Sequence, residues 1–499
     1  MTDSTPIRTA VAPANRWAVL AVLGIAQLMV VLDATIVNIA LPSAQRALHF
    51  STDSRQWVVT AYALAFGSLL LLGGKLGDLF GRKWTLIGGL SGFAVASAIG
   101  GLAQSFGMLV AARALQGAFG AILAPSALGL LTVTFAGSPD RPKAFGVFSA
   151  IAAGGASVGL LLGGVLTQAL SWRWSLYVNL AIAIPTAVVA LRLLRNERQP
   201  ARAAIDLPGV ALASSGLFAL VYGFSNAETT SWRDPLTIIA LGLSAVLLIS
   251  FTAFERRVEH PLLPLHIVWD RARGGAYATI ALAGSAVFAV FLFLTYYLQQ
   301  SLGYSPLKTG LAFLPMTVMI VLTATTVQTR VLPRTGAKPL VVTGMTLGIV
   351  AMILFTQLTP HGAYASHVLP GLLLTGVAMG CVFAPAFSTA TLGVKSHDAG
   401  IASAMVNTSQ QVGGSVGTAL LSTIFASAAA SFVSAHAKTA GLASAASIHG
   451  YTTAFAWAAA LFGVGLLVAL LILPIDGARR ARVAQAETRD ELALSFETT

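Results

Sequence analysis

Apolar residues in this chain fall into long runs separated by short polar turns. The runs are too long for buried strands or for ordinary core helices. A helix that crosses a bilayer needs about 20 mainly apolar residues. On that length the pattern predicts fourteen spans, near 17–41, 56–74, 84–103, 107–135, 144–170, 174–194, 207–226, 235–254, 274–299, 310–330, 339–358, 367–391, 400–428 and 452–473. The fourth, fifth and thirteenth are long enough to tilt or protrude. The first run is longer than the core of a cleavable leader, so it reads as a retained first helix. The polar stretches 1–16 and 474–499 read as tails.

Lysine and arginine orient these spans. With the N-terminus placed in the cytoplasm, the cytoplasmic segments hold 23 of them and the outer segments 6, with Arg113 left inside the membrane. Basic residues concentrate on the cytoplasmic side, so both termini are expected there. Two basic linkers divide the runs into six, two and six: a first bundle over 17–194, linkers and a two-helix insert over 195–273, and a second bundle over 274–473. A weak internal repeat supports two halves. The turn TRVLPRTGAKPL after the tenth run echoes GGKLGDLFGRK after the second, aligning Gly336 with Gly81 and Lys338 with Lys83, while Pro333 stands where Asp78 would. Repeats of this kind place a substrate site between the halves, near the midplane.

Composition narrows the class. The chain is 56% hydrophobic and only 10% charged, against about 25% charged in soluble domains. It reads as an all-α polytopic membrane protein. The net charge of +12 is spread over short turns and not gathered in a patch, which argues against a nucleic-acid partner. The single cysteine, Cys381, excludes an intramolecular disulfide and a thiolate metal cluster. The eight histidines show no ligand spacing, and no phosphate-binding loop or nucleophile–base pair appears. No cofactor is expected, and ATP is not the expected energy source.

Few residues remain to carry chemistry. Asp33, in LMVVLDATIVNIALP, is the acid that lies well inside a run. A charged side chain there costs about 2.5–3.5 kcal/mol on insertion scales and is functional by default. It is a candidate for loading and releasing a proton. The plain alternative is a packing hydrogen bond, or a position nearer the outer interface. Arg113, in RALQGAFGAILAP, is the second charge at membrane depth; its plain alternative is a cation bonded to backbone carbonyls. The fifth run carries Gly146, Gly155, Gly159, Gly163 and Gly164, a spacing that lets a neighbouring helix approach closely. In the turn after the second run, Gly74, Gly77, Asp78, Gly81, Arg82 and Lys83 crowd glycine and charge together. Asn38, Gln116, Tyr296, Tyr297, Asn407 and Gln411 are the candidate walls of a substrate cavity. Aromatic residues at such positions are more often core or lipid-facing than ligand-binding.

These motifs carry a resemblance. Gly74, Leu76, Gly77, Asp78, Gly81, Arg82 and Lys83 resemble the loop between helices 2 and 3 of the major facilitator superfamily, where the aspartate gates by facing a helix end of the other half. LDATIVNIALP, with Asn38 and Pro42, resembles the first-helix motif of its fourteen-helix drug:proton antiporters. Arg113, Gln116 and Gly117 resemble the fourth-helix motif, whose arginine takes part in proton coupling. The five glycines resemble the antiporter motif of exporters, except that Leu160 stands where the family usually has proline, which bears on helix bending. SWRWSLYVNLAI, with Asn179, and the stripe of Asn407, Gln410, Gln411, Gly413, Gly414 and Gly417 resemble the same subgroup. The resemblance implies two six-helix bundles with a two-helix insert, and proton-motive-force-driven export of lipophilic drugs or antibiotics by alternating access. A single acid at membrane depth suits a neutral or monocationic substrate. The expected setting is a bacterial plasma (inner) membrane, and a monomer suffices. Import of a small solute on the same fold is the second reading, disfavoured by the glycine pattern. A membrane sensor or enzyme is the third, and would call for a soluble domain or a catalytic cluster.

Overall fold

The computed structural model describes residues 13–50, 57–194, 206–258, 261–360, 362–394, 398–436 and 442–475. The regular elements among the described residues are all helical. In chain order they are α1 (Pro13–Leu48), α2 (Trp57–Phe80), α3 (Arg82–Gly101), α4 (Phe106–Thr134), α5 (Arg141–Ala169), α6 (Trp174–Leu193), α7 (Leu207–Thr229), α8 (Pro235–Glu255), the short α9 (Leu265–Trp269), α10 (Arg271–Tyr296), α11 (Pro306–Thr326), the short α12 (Leu332–Thr335), α13 (Ala337–Phe355), α14 (Leu369–Ala390), α15 (Ala399–Ala435) and α16 (Leu442–Ile472). π turns extend α10 over Tyr297–Ser301 and α11 over Val327–Val331, and another leads into α14 over Tyr364–Val368. Among the described residues, thirteen stretches are long and apolar enough to cross a membrane, and α5 makes fourteen when its two bent arms count as one span. Without water in a bilayer core, helices are the open-chain way to satisfy every backbone group.

Short polar residues start several spans. Ser105 accepts from Met108 N, Asp234 from Leu236 N and Thr237 N, Asp270 from Ala272 N and Arg273 N, and Ser305 from Lys308 N. Each occupies backbone donors that a helix start leaves over. The α2–α3 and α12–α13 junctions each turn on one glycine at positive φ, Gly81 at 90° and Gly336 at 78°. L side chains avoid that region, so the paired glycines of the internal repeat perform one backbone task twice.

Three boundaries depart from the hydropathy reading. The polar stretch after the second run is helical through Phe80, so most of the expected loop is the last turns of α2. Its glycines are packed, not looped: a Cβ at Gly73 would strike the Ala121 backbone, and one at Gly74 would lie 2.7 Å from Ala404 Cβ. The small-residue runs SAAASFVSA and GLASAASI, expected as an outer loop and its flanks, extend α15 to Ala435 and start α16 at Leu442. Alanine-rich sequence continues a helix past the membrane because it loses little side-chain entropy. Pro125, Pro315 and Pro385 lie within continuous helices. A bend of 42° falls in α5, between Arg141–Ala156 and Val158–Ala169, just after Gly154 and Gly155. A glycine–serine stretch weakens the helical ladder as proline would, so Leu160 does not keep α5 straight.

In the first half, α1 lies against α4, α5 and α6, and α2 and α3 both pack on α4. In the second, α10 contacts α14, α15 and α16, and α13 packs on α14 and α16. Two seams join the halves: α5 against α11 and α14, and α2 against α15. The insert is more than a plain hairpin at the periphery. α7 touches α2 and α15 at once, with Thr60 Oγ1 3.1 Å from Ser225 Oγ and Trp232 Nε1 donating to Thr423 Oγ1 at 2.7 Å.

Candidate functional site

Asp33 and Arg113 meet. Arg113 Nη1 donates to Asp33 Oδ2 at 2.6 Å, with the arginine side chain 1% exposed and the aspartate fully enclosed. The pair is part of a larger buried network. Asp33 Oδ1 accepts from Asn179 Nδ2 at 2.7 Å and from Gln116 Nε2 at 3.0 Å. Gln116 also donates to Ser97 Oγ at 2.7 Å and accepts from Arg113 Nη1 at 2.8 Å. Arg113 Nε donates to Val58 O at 3.2 Å, and its guanidinium lies 4.4 Å from the centre of the Tyr62 ring. Helices α1, α2, α3, α4 and α6 each supply one or more members.

The pattern of donors defines the chemistry. Asp33 accepts three hydrogen bonds and gives none in these contacts, which is how an ionised carboxylate bonds. Arg113 is a planar donor with several N–H groups, so it serves Asp33, Gln116 and a backbone carbonyl together. A proton placed on Asp33 would cancel the ion pair and leave Arg113 buried with a surplus charge, a strongly unfavourable state.

The network sits toward one end of the first half. Val58 is the second residue of α2, and Asp78 lies in its last turn. At 1.5 Å per residue the two are about 30 Å apart along the helix. The Asp78 end is the end at which the family resemblance expects a gate, the gate end. Asp33 is thus enclosed, yet nearer the far end of the bundle than the middle.

At the gate end, Arg82 Nη2 donates to Asp78 Oδ1 at 2.6 Å across the Gly81 turn. The same oxygen accepts from Gly400 N at 3.2 Å. Gly400 stands in the first turn of α15, so an acid of one half caps a helix start of the other. Anions are favoured at such N-termini. Gly74 and Gly400 are both needed small, because a Cβ on either would lie within 2.7 Å of atoms on the other helix. A Cβ at Gly77 would meet Ser126 Oγ at an ordinary 3.5 Å. Lys83 faces outward and donates to Leu191 O at 2.8 Å.

The glycines of α5 line two faces. Cβ atoms built at Gly155, Gly159 and Gly163 would press on Val31, on Leu32 and Thr35, and on Ile36 of α1. One at Gly146 would lie 3.1 Å from Gln328 Cβ in the other half. Gly164 is buried beside them. Close approach of α5 to α1 thus occurs at Leu32, the neighbour of Asp33.

The six cavity candidates scatter. Gln116 is fully enclosed within the charge network, which removes it from any cavity wall in this conformation. Tyr297 is also fully buried, and its hydroxyl donates to Thr359 O at 2.8 Å, a packing contact. Tyr296 is 39% exposed. Asn407 is buried and donates to Ser403 O on its own helix at 2.9 Å. Gln411 reaches across the seam, its Cγ 3.0 Å from a Cβ built at Gly67 of α2. Asn38 lies in α1, with its side chain outside the described residues. Sequence reasoning did not place Ser97 and Tyr62 at the site, and it met Asn179 only within a family motif. An asparagine in the apolar start of the sixth run was the available signal; Ser97 and Tyr62 carried none.

Comparison with known proteins agrees with this architecture. The family model described as Major Facilitator Superfamily matches residues 23–418. The chain belongs to the major facilitator superfamily. Among curated proteins it is 47% identical over 460 residues to the puromycin resistance protein pur8 of Streptomyces alboniger, covering 92% of this chain and 90% of that one. It is 38% identical over 402 residues to the cephamycin export protein CmcT of Amycolatopsis lactamdurans, covering 80% of this chain and 83% of that one. Among solved structures, the human organic anion transporter MFSD10 (TETRAN) aligns with a TM-score of 0.61 at 17% identity, over 92% of this chain and 100% of that one; at that identity the likeness is one of fold. As a superfamily member the protein is a multi-pass membrane transporter and not an enzyme. The Asp78–Gly400 contact joins its two halves at one end, and the Asp33–Arg113 cluster is its buried charge network.

Proposed function

We propose that the protein is a proton-coupled exporter of lipophilic antibiotics or drugs that works by alternating access. The observation that carries this reading is the enclosed Asp33–Arg113 pair with Asn179 and Gln116 on the same carboxylate. A proton reaching Asp33 from outside neutralises it, frees Arg113 and weakens the hold of α1 on α4 and α6. The glycine face of α5 rests on α1 beside Asp33, and α5 also packs on the second half. A change at the carboxylate therefore bears on a helix that both halves share. The gate-end contact between Asp78 and Gly400 then opens, the compound binds between the halves from the cytoplasm or inner leaflet, and release of the proton inward resets the cycle.

The relatives support the direction of transport, since two of them are named for antibiotic resistance and export. The substrate class follows from charge. Among the described residues the other buried acids, Asp78, Asp206 and Glu255, lie at helix ends. That leaves Asp33 as the acid of the bundle interior, which suits neutral or monocationic compounds. The protein is placed in a bacterial inner membrane as a functional monomer with both termini cytoplasmic, driven by the proton motive force without a cofactor.

The test uses inside-out vesicles energised by respiration. Proton release is followed on adding puromycin, lipophilic cations and neutral antibiotics, with wild type beside Asp33→Asn. Wild type should discharge the gradient with some compounds and Asp33→Asn with none. Equal discharge by both would remove Asp33 from the coupling. Accumulation of the compounds by intact cells expressing the protein would overturn export.

A further inference from the structure

The two seams between the halves are not closed alike at the gate end. On the α2–α15 seam, Asp78 caps the start of α15. The internal repeat puts Pro333 at the matching place, so the second half supplies no acid to the start of α5, whose own N-cap residue is the exposed Asp140, with no side-chain capping bond. The start of α5 carries Arg141 instead, 6% exposed. Its Nη1 donates to Thr132 O at 3.4 Å, and its Nη2 donates to Thr391 O at 3.3 Å and Thr391 Oγ1 at 3.1 Å. Thr132 lies in the last turn of α4, and Thr391 directly follows α14. These two helices belong to different halves. The guanidinium also lies 4.5 Å from the Phe145 ring centre. Among the described residues, Arg141 makes no ion pair with a carboxylate.

We infer that Arg141 is a second latch at the gate end, a positioning residue that holds the C-terminal carbonyls of α4 and α14 together and biases the transporter toward the state closed on that side. The physical basis is the reverse of the Asp78 contact. Helix C-termini carry partial negative charge and leave carbonyls without intrahelical donors. A cation set between two such ends satisfies both. Among the described residues its guanidinium is met by those carbonyls, the Thr391 hydroxyl and the aromatic face, so the site holds while the two ends stay close. When the halves separate at this end, Thr391 moves away from α4 and α5, and Arg141 is released to water. A latch of this kind is strong enough to close the seam and cheap to undo, because hydration replaces what the carbonyls supplied.

The inference rests on the alternating-access reading, and the experiment separates the two. Cys381 is the only cysteine, so Cys381→Ser gives a clean background. Spin labels go at Leu191, on the first half, and Arg334, on the second, both exposed near the gate end. Distances are measured by pulsed electron resonance on the full chain in lipid nanodiscs. Arg141→Gln, too short to join both carbonyls, should shift the ratio of closed to open populations about tenfold toward open, the order expected for a charge-assisted hydrogen bond. Thr391→Val, which removes one of the three bonds, should shift it less. Arg141→Lys should recover part of the closed population. Asp78→Asn is the control for gate opening. If Asp78→Asn opens the seam and Arg141→Gln does not, the latch is wrong while alternating access stands. If neither opens it, both fail. A tighter closed state in Arg141→Gln would mean that the buried cation opposes closure, which also overturns the inference. Should Arg141→Gln fail to fold, Thr391→Val and Arg141→Lys decide: a closed population unchanged in both refutes the latch.

Discussion

Gly159→Ala probes the contact between α5 and the helix that carries Asp33. A Cβ at Gly159 would strike Thr35 Oγ1 and would sit 3.0 Å from Leu32 O and 3.2 Å from Leu32 Cα. The hydroxyl can move aside only by giving up its bonds to Val31 O and Leu32 O. The Leu32 backbone cannot, because it belongs to α1 and adjoins Asp33. α1 and α5 must therefore separate by some tenths of an ångström. Overpacking of this sort costs about 1–3 kcal/mol, and the better helix propensity of alanine returns up to about 1 kcal/mol. A net loss of up to about 2 kcal/mol follows when the full propensity gain is returned, concentrated where Asp33, Asn179 and Gln116 must stay in register. Gly88 in α3 is the matched control, since a Cβ there meets nothing within 4 Å. Gly88→Ala should gain about 0.5–1 kcal/mol from propensity alone. Thermal melting of the purified protein in detergent should rank Gly88→Ala at or above wild type and Gly159→Ala below it. Drug-driven proton release should fall only in Gly159→Ala. Adding Thr35→Ala to Gly159→Ala should restore part of the melting temperature, because it clears the hydroxyl but not the Leu32 carbonyl. A Gly159→Ala protein that melts with wild type and transports fully would refute the close α1–α5 contact and the coupling route drawn through it.

Two further outcomes follow from the charge network. Arg113→Lys keeps the charge but cannot serve Asp33, Gln116 and Val58 O at once; drug-driven proton release should drop at least tenfold while the protein still reaches the membrane, and near-normal release would show that charge alone suffices. Asn179→Leu leaves Asp33 Oδ1 with Gln116 as its remaining network donor, a loss of about 1.5–3 kcal/mol for a hydrogen bond to a charged group; it should shift the pH dependence of proton release relative to wild type, and an unchanged profile would remove Asn179 from the coupling.

Much of this was legible in the chain because a membrane limits what a sequence can mean. Fourteen apolar runs, alternating basic turns and two isolated charges have few interpretations when every unsatisfied polar group in lipid costs several kcal/mol. That is why Asp33 and Arg113 stood out one by one. The polar stretch at Gly74–Phe80 was misread as loop for a related reason. Hydropathy registers charge and glycine as a turn, whereas packing against Ala121 and Ala404 holds them in a helix.

What the residues alone determined is the transmembrane count, the two-half repeat and the presence of an acid and a base at depth. Each depends on local composition or on the energy of one residue in lipid. What only the tertiary structure decided is which side chains meet. Asp33 and Arg113 are 80 residues apart, Asp33 and Asn179 are 146 apart, and Arg141 reaches Thr391 across 250. Spacing within one helix says nothing of such pairs, because they depend on how helices rotate and cross, and small residues such as Gly159 and Gly400 set that by allowing backbones to touch. The insert shows the same division. Its two spans were plain in the chain, but its place across the α2–α15 seam rests on contacts with both halves at once, Thr60 with Ser225 and Trp232 with Thr423 among them.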